Sequence, residues 1–192
     1  MRWNLPNILT LLRIGAIPLF IIAFYLPVSW SSQAATILFA AAAITDWLDG
    51  FLARRWGQSS AFGAFLDPVA DKLMVAAALV LLVEANPTPY PGILVGIAAV
   101  VIIGREIAIS ALREWMAEIG ERASVAVSWM GKLKTGTQMV AILLLLFEDP
   151  LWGLPSLHLG FWLLYVAAGL TLWSMIVYLR AAWPIFVRNE GG

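Results

Sequence analysis

The chain has no cysteine, a single histidine and very few charges. Without cysteine there are no disulfides and no thiolate metal sites, and the redox compartment is left open. Charged residues are 12% of the 192 and apolar residues 61%, with a mean hydropathy of +0.86; a soluble domain is about a quarter charged. The composition is that of an integral membrane protein. Net charge is absent too: 12 Lys and Arg balance 12 Asp and Glu, so no global field points to nucleic acid. No internal repeat or low-complexity tract is present, and the length leaves room for one domain, residues 1–192, without a sizeable soluble appendage. Arg2 precedes an apolar run, but Ile14 to Val28 leads directly into more membrane sequence without a small-x-small site, so no cleavable signal peptide is expected.

Against this background the hydrophobic runs divide into six spans, at about 7–27, 33–56, 61–84, 91–114, 131–148 and 157–181; a spanning helix needs about 20 residues. The expected fold is all-α, six transmembrane helices in one bundle. Only the last span is cleanly apolar, with no Asp, Glu, Lys or Arg from Leu151 to Leu179. The first dozen residues, with Trp3, Leu5, Ile8 and Leu9, read equally as a short interfacial helix or as the start of span one. The connections at Pro27 to Ser32, Asn86 to Pro91 and Glu148 to His158 hold no Lys or Arg, whereas Arg2, Arg54, Arg55, Arg113, Arg122, Lys132, Lys134, Arg180 and Arg188 fall on the other side. The positive-inside rule then places both termini and the charged face in the cytoplasm. His158 falls in a connection on the opposite side and reads as a solvated loop residue, so histidine base catalysis is not expected. Residues 117–128 read as a cytoplasmic loop, and Gly92-x-x-x-Gly96 as a helix-packing patch.

What the chain does have is four aspartates in otherwise apolar helices: Asp46, Asp49, Asp67 and Asp71. A carboxylate placed in a bilayer costs roughly 2.5–3.5 kcal/mol on insertion scales, and only Arg54, Arg55 and Lys72 are close in sequence. Divalent cations, which take hard oxygen ligands, are the natural compensation, and metal at a membrane suggests phosphate chemistry. Asp46, Asp49, Gly50 and Ala53 share one stripe of the second helix; Gly63, Asp67 and Asp71 share one stripe of the third. A short turn near Gln58 and Ser59 makes the two helices antiparallel neighbours whose carboxylates converge just below the cytoplasmic surface. Gly50, Ala53 and Gly63 clear space for a ligand or facing helix, and Arg54 offers a planar donor fork suited to a diphosphate. Helix-end ion pairing, or a cation or proton pathway in a transporter, would explain the aspartates but not the small residues and Arg54 beside them.

The pattern Asp46-x-x-Asp49-Gly50-x-x-Ala53-Arg54-(x)8-Gly63-(x)3-Asp67-(x)3-Asp71 resembles the signature of the CDP-alcohol phosphotransferase family at every defined position. The likeness extends through Pro6-Asn7, Thr10, Arg13, Arg105-Glu106, Ser110 to Met116 and Gly131 to Thr135, over essentially the whole chain. It implies six membrane helices, a homodimer in the bacterial inner membrane, and two divalent metals, Mg²⁺ or Mn²⁺, on the four aspartates. The implied activity is displacement of CMP from CDP-diacylglycerol by sn-glycerol 3-phosphate. Inositol phosphate or phosphatidylglycerol are alternative acceptors, because the signature serves many alcohols. Asp71 is implied as general base; Gly50, Ala53, Arg54, Gly63 and Thr10 are assigned to the donor. Arg105, Lys132, Lys134, Arg113 and Arg13 are assigned to the acceptor phosphate, which a basic cluster facing the aspartates would bind.

Overall fold

The computed structural model describes residues 5–56, 61–120, 129–150 and 153–190; within these, the side chains at 5–7, 47, 49–56, 61–65, 67, 68, 129–132 and 188–190 lie outside the description. The described residues form six helices and no strand: α1 (Leu5–Tyr25), α2 (Ser31–Trp56), α3 (Ala61–Ala85), α4 (Gly92–Glu118), α5 (Trp129–Phe147) and α6 (Ser156–Glu190). Helix is the expected outcome, since backbone groups in an apolar surround must bond within their own segment. The connections turn sharply. Asn86 takes a positive φ of 38°, and its Nδ2 donates to Tyr90 O at 2.9 Å, closing the α3–α4 link. Ser156 Oγ donates to Asp149 O at 2.8 Å across the α5–α6 link.

Among the described residues, three helical stretches are long and apolar enough to cross a membrane: Ile8–Tyr25, Gly92–Glu118 and Ser156–Val187. Every helix also carries large apolar side chains that face outward, among them Leu19, Ile37, Val80, Val100, Val140 and Trp162. A soluble bundle would put polar residues there; an acyl-chain environment explains them.

α1 packs on α2 and α3, α4 on α3 and α6, and α5 on α6 and α2. Phe20, Phe39, Leu79, Leu82, Val95, Ile102, Ile142, Leu145 and Leu164 form the main core. A second cluster joins α4 to α6 through Ile109, Leu112, Met116, Ala182 and Ile185, with the Trp115 and Phe186 rings stacked at 4.3 Å.

Several expectations change. Leu5–Tyr25 is one uninterrupted helix, so the start-of-span reading holds and no separate interfacial helix precedes it among the described residues. α4 continues to Glu118, ending at Gly120 with φ 79°, and α6 continues through Pro184 to Glu190; the second cluster is what carries both helices past their sequence-expected ends. Residues 121–128 of the expected loop lie outside the described residues. His158 belongs to α6 rather than a loop, exposed, with its ring 5.6 Å from Tyr90. The close helix contact is not at Gly92 and Gly96, where an added Cβ would meet its nearest neighbours at 3.5 and 3.9 Å. It is at Gly160, where a Cβ would lie 2.9 Å from Leu145 Cγ and 3.1 Å from Leu144 Cβ, so glycine is what lets α6 lie flat on α5.

Candidate active site

The start of α1, end of α2, start of α3, end of α4, start of α5 and later half of α6 meet at one end of the bundle, as successive up-and-down helices must. Asp46, Asp71, Arg105, Glu106, Arg113 and Lys134 gather there. Asp46 from α2 and Asp71 from α3 line one narrow cavity together with Arg13, Phe39, Ala42, Met74, Val75 and Met139. Arg13 Nη1 donates to Asp46 Oδ1 at 2.5 Å. The arginine side chain is 1% exposed and that of Asp46 41% exposed, so the cation is sealed in the bundle while the carboxylate opens outward.

Arg13, expected at the acceptor phosphate, lines the carboxylate cavity, because α1 packs against both α2 and α3 and turns its inward stripe to Asp46. Thr10, one turn earlier, is fully buried. Asp49, Gly50, Ala53, Arg54, Gly63 and Asp67 lie in α2 and α3, but their side chains are outside the described residues, as is that of Lys132 in α5. Among the described residues no three metal-ligating side chains assemble. The two aspartates that are described nevertheless suit a divalent cation, being hard oxygen donors on one cavity where the soft thioethers of Met74 and Met139 do not compete for a hard ion.

Asp71 also lines a second, larger cavity of about 370 Å³. Lys72 from α3, Arg105, Glu106 and Arg113 from α4, Lys134 and Gln138 from α5, and Ser174 and Tyr178 from α6 face it, with Leu73, Ile102, Ile103, Ile107 and Met139 as an apolar wall. Three of the cations assigned to the acceptor phosphate are thus brought together beside the aspartate assigned as base.

Each cation is held by a neighbour. Arg105 Nη1 donates to Glu106 Oε1 at 3.1 Å and its Nη2 to Ser174 Oγ. Lys134 Nζ donates to the same Glu106 Oε1, and Lys72 Nζ to Ser110 Oγ at 2.5 Å. Arg113 Nη2 donates to Tyr178 Oη, and the guanidinium carbons of Arg105 and Arg113 lie 5.6 and 5.1 Å from the Tyr178 ring centroid, within cation–π range. Bonding capacity is left over: Arg105 Nε and Gln138 Oε1 are buried and have no hydrogen-bond partner among the described residues. Such groups are uncommon in folded proteins and call for an explanation; a polar ligand in this cavity supplies one.

Gln138, Ser174 and Tyr178 do not stand out in the sequence, where Lys72 is only a neighbouring cation and Glu106 only part of the family likeness. The available signal was spacing: Lys134 with Gln138 and Ser174 with Tyr178 stand four apart in apolar helices, each pair on one face.

Residues 3–173 match the sequence model of the CDP-alcohol phosphatidyltransferase family. Proteins named CDP-diacylglycerol--glycerol-3-phosphate 3-phosphatidyltransferase from Shigella flexneri serotype 5b (strain 8401) and Escherichia coli (strain K12) are each 57% identical to this chain over 182 residues, which is 95% of this chain and 96% of each relative.

Proposed function

The chain belongs to the CDP-alcohol phosphatidyltransferase family, and from that premise we propose that it transfers the phosphatidyl group of CDP-diacylglycerol to sn-glycerol 3-phosphate, forming phosphatidylglycerol phosphate and releasing CMP. The observation that carries the acceptor assignment is the cavity in which Asp71 faces Arg105, Arg113 and Lys134: a carboxylate to take a hydroxyl proton beside cations to hold a phosphate. In this reading the chain is one domain of six spans in the bacterial inner membrane. The cation-rich end and both termini are cytoplasmic, as its Lys and Arg distribution supports, and the enzyme works as a homodimer.

The residues divide the work. Arg54 donates to the donor's phosphates, Gly50, Ala53 and Gly63 leave room for cytidine, and Thr10 supports the donor side. Arg13 holds Asp46 in place and offsets its charge. Arg105, Arg113, Lys134 and Lys132 seat the acceptor phosphate with charge-assisted bonds. Asp71 takes the proton from the C1 hydroxyl; that oxygen forms a bond to the β-phosphorus, the bond from phosphorus to CMP breaks, and CMP departs with the electron pair. Asp46, Asp49, Asp67 and Asp71 would hold two Mg²⁺ or Mn²⁺ ions, which would supply charge neutralisation for the phosphates.

The test is CMP release by the detergent-purified protein with CDP-diacylglycerol and Mg²⁺, offered glycerol 3-phosphate, inositol phosphate, serine or phosphatidylglycerol. Release that depends on glycerol 3-phosphate supports the reading. Release with another acceptor overturns the reading of the basic cavity, and folded protein that releases no CMP with any of them overturns the transferase assignment.

A further inference from the structure

The acceptor cavity contains a carboxylate that phosphate binding alone does not explain. Glu106 is on its wall, and its side chain is 25% exposed. All of its hydrogen bonds to described residues arrive at one oxygen: Arg105 Nη1 and Lys134 Nζ both donate to Oε1. Oε2 has no partner among the described residues and is not among the buried unsatisfied atoms. An anion among the cations that seat a phosphate weakens that seat, since like charges repel strongly where water is scarce. If its only task were to neutralise Lys134 and Arg105, it would oppose the ligand those residues are there to bind.

An open carboxylate oxygen is, however, a strong acceptor for a hydroxyl donor. Glycerol 3-phosphate presents three groups: a phosphate, the C1 hydroxyl that reacts, and the C2 hydroxyl. The cations take the first and Asp71 the second. We propose that Glu106 takes the third, its Oε2 accepting a hydrogen bond from the C2 hydroxyl while Lys134 and Arg105 pin Oε1. Glu106 is thereby the residue that selects a vicinal-diol phosphate over a simple alcohol phosphate. The inference rests on the proposed acceptor and adds a determinant for its middle carbon.

The decisive probe is 3-hydroxypropyl phosphate, which keeps the phosphate and the reacting hydroxyl and lacks only the C2 hydroxyl. Wild-type protein should prefer glycerol 3-phosphate by roughly 10–100-fold in kcat/KM, the span expected for one hydrogen bond to a charged group. In Glu106→Ala that ratio should fall to near one. Glu106→Gln, which keeps the shape, should lie between. The ratio compares two acceptors on one preparation, so partial misfolding of a variant cancels. A purely structural Glu106 would depress both acceptors equally and leave the ratio at its wild-type value, which overturns the inference. Equal use of both acceptors by the wild type overturns it without any variant and leaves the transferase reading standing. Use of neither acceptor removes both readings.

Discussion

The two ends of this bundle handle buried polarity in opposite ways. At the end that holds the α3–α4 and α5–α6 connections, polar groups complete one another. Asn86, Thr88 and Tyr90 close a turn, Ser156 bonds two carbonyls, and Tyr165 Oη donates to Leu94 O at 3.1 Å beside the stacked rings of Tyr90 and Phe161. At the other end, Arg105 Nε, Gln138 Oε1 and one oxygen of Glu106 keep bonding capacity in hand around a cavity. Polar groups that satisfy each other help hold the bundle together; those around the cavity keep capacity for a ligand.

Substitutions at each end separate these roles. The largest effect is expected for Asp71→Asn, which removes the proton acceptor and should lower kcat by about 10²–10⁴-fold while largely sparing CDP-diacylglycerol binding; near-wild-type turnover would take Asp71 out of the base role. Next comes Lys134→Met. Loss of a charge-assisted bond should raise KM for glycerol 3-phosphate roughly 10–100-fold with little change in KM for the donor, and an equal rise in both would show the lysine to be structural. At the far end the readout changes from kinetics to stability. Gly160→Val drives a branched side chain into Leu145 and should cost about 1–3 kcal/mol, seen as a lower detergent melting temperature with turnover per folded molecule kept. The smallest effect belongs to Tyr165→Phe, which deletes the bond to Leu94 O and should cost about 1 kcal/mol with unaltered kinetics. A kinetic defect from either far-end variant would break the division.

The sequence and the structure agree best where physics leaves few options. Carboxylates in apolar helices are costly enough that Asp46 and Asp71 stand out unaided, and their shared cavity follows from helical periodicity. Arg13 was legible as a cation at the right end of the bundle, but which partner it meets depends on how α1 lies across α2 and α3. Glu106 was harder to read, because beside Arg105 it looks like half of a local ion pair; only the approach of Lys134 from α5 shows which of its oxygens is taken. Helix ends were misread for a related reason. Arg180 looks like the end of the last span, yet Ala182 and Ile185 continue to find α4. Packing between distant segments decides each of these, and one-dimensional spacing does not carry it.

The paired extension of α4 and α6 has a consequence for the rim of the cavity. A helix of 35 residues is about 52 Å long, more than an upright crossing of about 30 Å of hydrocarbon needs. Trp115 stacked on Phe186 fastens that stretch to α4, below which Arg113 and Tyr178 rim the cavity. This rim of the cavity is therefore built from two helices fastened to each other. A rim fixed by ring stacking and helix packing keeps its shape through contacts within the protein itself.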